Sequence, residues 1–241
     1  PYYITTPIYY VNDRPHIGHA YTTLACDVLA RFKRLDGFDV TFLTGTDEHG
    51  QKVEKAASDK GVSPQSFTDE VSQNFRDLTA QMNFSNDDFI RTTEIRHRLA
   101  CQEIWKRLHE RNHIRLGNYA GWYSVRDEAF FTETEVVDGK APTGAPVEWV
   151  EEPAYFFNLS HWQKPLLDFY EANPDFVGPE SRFNEVKSFV QGGLRDLSVS
   201  RASFKWGIPV PNDPDHVMYV WMDALTNYIT ASGWPTDTEL G

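Results

Sequence analysis

The residues from Tyr3 to His19 constrain this chain more than any other stretch. An apolar, β-branched run begins at Tyr3, breaks at Pro7, and after Pro15 gives way to the mouth of a helix. Leu24, Val28, Phe32 and Leu35 recur at helical spacing and predict its apolar face, with Gly37 just past the end as a cap. Strand, loop, helix is the opening unit of an α/β nucleotide-binding sheet. His16 and His19 fall in the first helical turn and point to one side, with Gly18 between them. A helix N-terminus attracts anions through its free N–H groups and its dipole. Two imidazoles add donors there, and Gly18 leaves the backbone open to a phosphorylated ligand. On those four residues alone, half a zinc site or two surface histidines remain alternatives.

The same alternation of strand and helix continues to residue 113. Residues 40–44 read as a second buried strand ending in Gly45-Thr46-Asp47-Glu48-His49-Gly50. Ligands of open α/β sheets sit beyond the carboxyl ends of the strands, so Asp47 is aimed at the crevice that His16 faces. Capping the next helix is the other role open to it. That helix runs from about Gln51 to Lys60 and closes on Gly61. Ser63-Pro64 starts another, with Phe67, Val71, Phe75, Leu78 and Met82 as its core stripe. Asp88–Arg91 predicts a third strand. Thr93 is the expected cap of a helix reaching about Asn112, with Ile95, Leu99, Trp105 and Leu108 facing in. Its basic residues, Arg96, Arg98, Lys106, Arg107 and Arg111, read as a solvated face.

From Ile114 the texture changes. Gly, Pro, aromatic and β-branched residues predict short strands at 120–125, 129–132, 147–150 and 155–159. Helical periodicity returns near Trp162 and again at Ser181. Residues 217–221 read as a further sheet strand. Ala224, Leu225 and Tyr228 then begin a helix, turning Trp221 and Tyr228 toward the crevice mouth.

His16-Ile17-Gly18-His19 at a helix entry resembles the signature of the class I aminoacyl-tRNA synthetases. The preceding Thr5-Thr6-Pro7-Ile8-Tyr9-Tyr10-Val11-Asn12 is similar to the methionyl-tRNA synthetase version. The block at 45–50 and Tyr219-Val220-Trp221-Met222-Asp223-Ala224-Leu225 are similar to two further blocks of that family, in order along the chain. The resemblance implies an α/β fold, a Rossmann-like parallel sheet of the class I synthetase type interrupted by a β-rich connective insertion. The nucleotide-binding part is expected over 1–113 and 200–241, and the insertion over 114–199. The implied reaction activates L-methionine with ATP, accompanied by Mg2+, and transfers the methionyl group to tRNA(Met). A carboxylate attacks the α-phosphate in line, so positioning and charge stabilisation supply most of the rate.

The resemblance also assigns residues. His16, Gly18 and His19 occupy ATP-binding positions, with His16 and His19 as the catalytic, phosphate-side donors. Ile8, Tyr10, Asp47, Trp221, Ala224, Leu225 and Tyr228 occupy methionine-binding positions, Asp47 as the anchor of the ammonium group. Arg201 orients Asp47 or the substrate carboxylate, or closes a structural ion pair. An aromatic pocket suits a thioether, although on composition alone this group reads as core.

Two departures from the family carry weight. Many relatives hold zinc in the insertion. The corresponding positions here are Ser124 and Asp127, then Ala141 and Gly144, and offer no thiolate or imidazole. No metal ligands and no structural zinc are therefore expected; the insertion should rest on an aromatic core of Trp122, Phe130, Phe131, Trp149, Phe156 and Phe157. The Lys-Met-Ser-Lys-Ser loop and the anticodon-reading helical domain are also missing. The chain is thus expected to be the front part of a longer enzyme, inactive on its own.

A formal net charge of −12 argues against a general nucleic-acid coat, and DNA is not an expected partner. A tRNA remains compatible with it, through a local basic patch or a further domain. No apolar run is long enough to span a bilayer, so no membrane partner is expected. Cys26 and Cys101 are the only cysteines and suit a reducing cytoplasm. Three competing readings use the same residues. A cofactor-adenylating nucleotidyltransferase fits poorly with the long insertion, and an RNA-binding scaffold with the intact His16, His19 and Asp47. A metal hydrolase is disfavoured by Gly18 and the sheet-end setting.

Overall fold

The computed structural model describes residues 1–127, 129–131 and 133–236. Its first layer is a parallel sheet centred on residues 40–47. Strand β1 (Tyr2–Thr5) and strand β2 (Tyr9–Tyr10) are separated by Pro7, which cannot donate to a ladder. Helix α1 (Ile17–Leu35) follows and returns the chain to β3 (Val40–Asp47). Helices α2 (Gln51–Lys60) and α3 (Pro64–Gln81) then lead to β4 (Asp88–Arg91). Leu43 pairs with both Thr5 and Asp88, and Thr46 with both Tyr9 and Arg91. Strands β1 and β2 therefore lie end to end along one edge of β3, and β4 lies along the other. Gly45 is required where β3 meets β4, since a Cβ there would sit 2.0 Å from the Ile90 carbonyl oxygen.

The apolar stripe expected to bury α1 does the opposite. Val28 is 59% and Leu35 89% exposed, and Leu24 and Phe32 are exposed as well. The helix packs on the sheet through Thr23, Asp27 and Ala30, which are small enough for close approach. Their polar atoms are satisfied. Tyr9 Oη lies 2.7 Å from Thr23 Oγ1, and Asp27 accepts from the Ser85 amide and hydroxyl and from Arg31 Nε. The stripe on α3 is buried at Phe67, Val71 and Phe75 but runs out at Met82.

Helix α4 (Ile95–Glu110) faces in with Trp105 and Leu108 as expected, but not with Ile95 and Leu99. Ile95 and Leu99 are exposed, whereas His97, Ala100, Cys101 and Trp105 are buried. Glu94 holds the N-cap position, while Thr93 donates to Glu48 at 2.6 Å. Arg96 pairs with Asp88 and Glu94, and Arg107 with Glu103, in keeping with a solvated charged face.

The next four strands form one antiparallel sheet in the order 129–131, 114–124, 148–157, 197–198. They are β5 (Ile114–Ser124), β6 (Ala129–Phe131), β7 (Glu148–Phe157) and β8 (Leu197–Ser198). The strands expected at 147–150 and 155–159 merge into β7, straight through Pro153. That is tolerated because β8 reaches only Phe156 and Phe157, leaving one side of β7 without a ladder at the proline. Thr132, the end of another expected strand, lies outside the described residues, as does the Phe130 side chain. Of the expected aromatic core, Trp122, Phe131, Phe156 and Phe157 are half-buried, whereas Trp149 is 55% exposed and meets Trp122 edge to face. Helices α5 (Gln163–Ala172) and α6 (Glu180–Gln191) form a hairpin between β7 and β8.

A third sheet, antiparallel in the order 209–210, 213–218, 200–201, follows. Its strands are β9 (Ser200–Arg201), β10 (Pro209–Val210) and β11 (Asp213–Met218). The strand expected at 217–221 thus starts earlier, ends at Met218, and does not join the parallel sheet. A short 3-10 turn (Ala224–Thr226) and α7 (Asn227–Ala231) close the described fold. Cys101, Trp105, Val199, Ile208, Met218 and Met222 form a shared core that fixes this sheet against α4.

Candidate active site

The site is built where β3 ends. Asp47 is the last residue of that strand, and the turn after it is tied to the far end of the chain. Trp206 Nε1 donates to the Glu48 carbonyl at 2.6 Å, and the Gly50 amide donates to the Trp206 carbonyl at 3.0 Å. The Glu48 side chain is fully buried. It accepts from Arg91 through both oxygens and from Thr46 and Thr93 hydroxyls. Arg91 also bonds Asp69 at 2.6 Å.

A cavity of about 210 Å³ opens beside this turn. Tyr10, Asp47 and His49 line one wall; Met218, Tyr219, Val220 and Asp223 line another. An acidic group beside thioether and aromatic surface suits a small ligand with a cationic head and an apolar tail. His49 is held by Asp223: Nδ1 lies 2.7 Å from Oδ2. The ring meets Trp206 edge to face at 5.4 Å between centroids. Burial disfavours the imidazolium, but the Asp223 carboxylate outweighs it, and the His49 pKa is raised. Burial likewise opposes ionisation of Asp223, yet His49 and His97 together pull its carboxyl down to about 2.

His16 and His19 form a second, separate feature at the head of α1. His16 Nδ1 accepts from the Gly18 amide and His19 Nδ1 from the His16 amide, both at 3.1 Å. This is a capping box made of imidazoles. The rings stack at 3.9 Å between centroids. With Nδ1 accepting on both, each ring carries its hydrogen on Nε2 and turns a donor outward. Burial, then the neighbouring His16, lowers the His19 pKa and keeps that ring uncharged. Gly18 has a role beyond leaving space for a ligand: a Cβ there would stand 2.9 Å from His16 Cε1.

The residues singled out in the sequence are therefore distributed as follows. Tyr10 and Asp47 share the cavity. Their backbones are in register across β2 and β3, which is why both arrive there. His16, Gly18 and His19 are at the helix head and do not line that cavity. Trp221 and Leu225 are exposed and Ala224 is buried, all on the segment that follows Val220. Ile8 lies in the link between β1 and β2, half-buried. The Tyr228 carbonyl accepts from Tyr3 Oη at 2.9 Å, which ties α7 to β1. Arg201 is buried, stacked 3.7 Å from the Tyr219 ring centroid, and donates to Ser198 Oγ and the Ser200 carbonyl. It lines a neighbouring recess with Gln51, Tyr123 and Glu152. Sequence reasoning missed His49, Asp223, Met218 and Tyr219, although the strand-end rule that selected Asp47 applies equally to His49.

Two clusters bear on metal binding. Ser124, Asp127, Ala141 and Gly144 present only a hydroxyl and a carboxylate, and the Asp127 carboxylate accepts from Thr143 while its amide donates to Ser124. That set does not fit zinc. His97, Cys101 and Asp223 bring their ligand atoms within 4.8 Å of one another. Burial pushes the Cys101 thiol far up, and both Asp223 oxygens are engaged by imidazoles. This is a hydrogen-bonded cluster.

A family model described as "tRNA synthetases class I (M)" matches residues 2–146 and 143–239. The chain belongs to that family. Methionine–tRNA ligase of Rickettsia conorii is 68% identical over 99% of this chain and 49% of that protein. The Mesorhizobium japonicum methionine–tRNA ligase is 59% identical, with 99% and 47% covered. Among solved structures, Mycobacterium tuberculosis methionyl-tRNA synthetase bound by methionyl-adenylate superposes with a TM-score of 0.92. The two are 56% identical over all of this chain and 49% of that one. The chain thus spans about half the length of the relatives it matches. The Rossmann-like α/β character expected from the sequence is the architecture of these class I synthetases. Among the described residues, no helix is long and apolar enough to cross a membrane.

Proposed function

We propose that this chain is the methionine- and ATP-binding part of a methionine–tRNA ligase. The enzyme would activate L-methionine to methionyl-adenylate and pass the methionyl group to tRNA(Met). One observation carries the reading: Asp47, an anchor for the substrate ammonium, shares a cavity with Met218, Tyr219, Val220 and Tyr10, which offer the soft, apolar surface a thioether prefers. The methionine–tRNA ligase relatives and the methionyl-adenylate bound in the mycobacterial structure point the same way.

In this reading Ile8, Trp221, Ala224, Leu225 and Tyr228 complete the methionine side, and Arg201 orients the segment that carries Tyr219. His16 and His19 donate through Nε2–H to the phosphates as charge shifts toward pyrophosphate, with Gly18 leaving room for the His16 ring. Mg2+ arrives with ATP. Residues 1–113 and 200–241 serve as the nucleotide-binding part and 114–199 as a metal-free insertion, and the enzyme works in the cytoplasm. The exposed stripe on α1 is the kind of surface that a second half of the polypeptide covers.

The test is ATP–pyrophosphate exchange by the full-length protein with a panel of amino acids. Exchange that depends on L-methionine supports the reading. Exchange driven by another amino acid, or adenylation of a cofactor acid instead, overturns it.

A further inference from the structure

Asp223 is almost wholly buried and takes two imidazoles at once, one on each carboxylate oxygen. His49 Nδ1 lies 2.7 Å from Oδ2, and His97 Nε2 lies 2.9 Å from Oδ1. The three side chains come from separate parts of the fold: the turn after β3, the first turns of α4, and the segment between β11 and α7. His97 Nδ1 is buried with no partner among the described residues. A bare acceptor there is less costly than an orphaned N–H, so the hydrogen sits on Nε2 and is given to Asp223. Cys101 stands at the same nitrogen, its Sγ 3.3 Å from His97 Nε2. The order is therefore His97 to Asp223 to His49, and His49 lines the cavity beside Asp47.

We propose that Asp223, itself anchored by His97, is a positioning residue for methionine binding. It fixes the ring orientation and tautomer of His49, and it locks the strand end that carries Asp47 to the segment that carries Tyr219 and Val220. The inference rests on the methionine reading given above. An acidic group that bonds and orients an imidazole at a binding site sets which nitrogen carries the hydrogen. Here it also sets the distance between the polar and apolar walls of one cavity. The groups that face His49 are Asp223 across the interface, Asp47 and Glu48 on its own turn, and the Trp206 ring.

The experiment uses full-length protein, wild type and the variants Asp223→Asn, His97→Leu and His97→Gln. Two readouts are taken. NMR titration of the His49 ring needs no substrate and reports on the network itself. In Asp223→Asn the His49 pKa is expected to fall, because the charge that stabilises the imidazolium is gone. Steady-state exchange then gives the Michaelis constants of both substrates. The methionine KM is expected to rise about tenfold or more, with the ATP KM within about twofold of wild type. His97→Leu is expected to raise the methionine KM in the same way, and His97→Gln, which keeps a donor near Nε2, to recover most of it.

An unchanged His49 titration in Asp223→Asn overturns the proposal. So does an equal effect on both Michaelis constants, or a loss confined to kcat, since those are signs of a merely structural role. Should Asp223→Asn fail to fold, the two His97 variants decide between these outcomes. Wild-type protein that shows the raised His49 pKa but no methionine dependence would instead sink the methionine reading and leave the network standing.

Discussion

His16 and His19 cap one another: each Nδ1 takes a backbone amide of the first turn of α1, and the two rings lie 3.9 Å apart. The arrangement uses the inner nitrogens for structure and leaves the outer ones as donors. Substituting alanine for His19 removes one cap bond and one donor together. A lost cap costs about 1 kcal/mol. A lost transition-state donor costs about 10²–10³ in rate. The melting point of His19→Ala should therefore fall slightly while methionine-dependent exchange falls steeply; equal losses in both would mean that the histidine is only a cap.

The same pair makes a pH prediction. Burial and His16 lower the His19 pKa, so the uncharged ring is the folded-state form. Its contribution to stability is complete above the unfolded value of about 6.5 and is lost as pH falls through the lowered folded value. The His19 Cε1–H resonance should titrate below that of a free histidine. A midpoint above 6.5 would contradict the capping geometry.

Gly18→Ala tests the space the His16 ring occupies. The new Cβ meets only the far end of a side chain, so the ring swings aside while the helix gains a better helix former. Stability should stay within about 1 kcal/mol of wild type. Exchange should fall about tenfold or more from the misplaced donor. Calorimetric melting and exchange rates on one preparation separate the two.

Arg91 neutralises the fully buried Glu48 beneath the Asp47 turn. Arg91→Ala strands that carboxylate and should cost about 3 kcal/mol in urea unfolding. Arg91→Lys should not restore it, because a single ammonium cannot span both Glu48 oxygens and Asp69.

Asp127 and Thr143 join the turn that ends β5 to the loop that precedes β7. Chelator dialysis should leave the Trp122 and Trp149 fluorescence melt unchanged, while Thr143→Val should lower its midpoint. A melt that responds to chelator would point to a metal.

The parts of the fold readable in the sequence were those set by local chemistry. Ser63-Pro64 opens α3, Gly61 closes α2, and Pro7 splits the edge of the sheet. What misled was size. An apolar stripe marks a buried face only when large side chains are what fits, and α1 lies on its sheet through Thr23, Asp27 and Ala30. On α4 the buried positions are set by His97 and Cys101, whose partner Asp223 is more than a hundred residues away. Asp47 and Tyr10 were legible because strand ends aim residues at a crevice. His49 and Asp223 were not, because a hydrogen bond across 174 residues leaves no local pattern.

The cavity beside Asp47 is the centre of the account, and titration calorimetry with L-methionine tests it most directly. Wild-type full-length protein should bind one methionine per site, and Asp47→Asn should weaken it at least about thirtyfold, the cost of a lost buried charge partner. Methionine affinity unchanged in Asp47→Asn would contradict it.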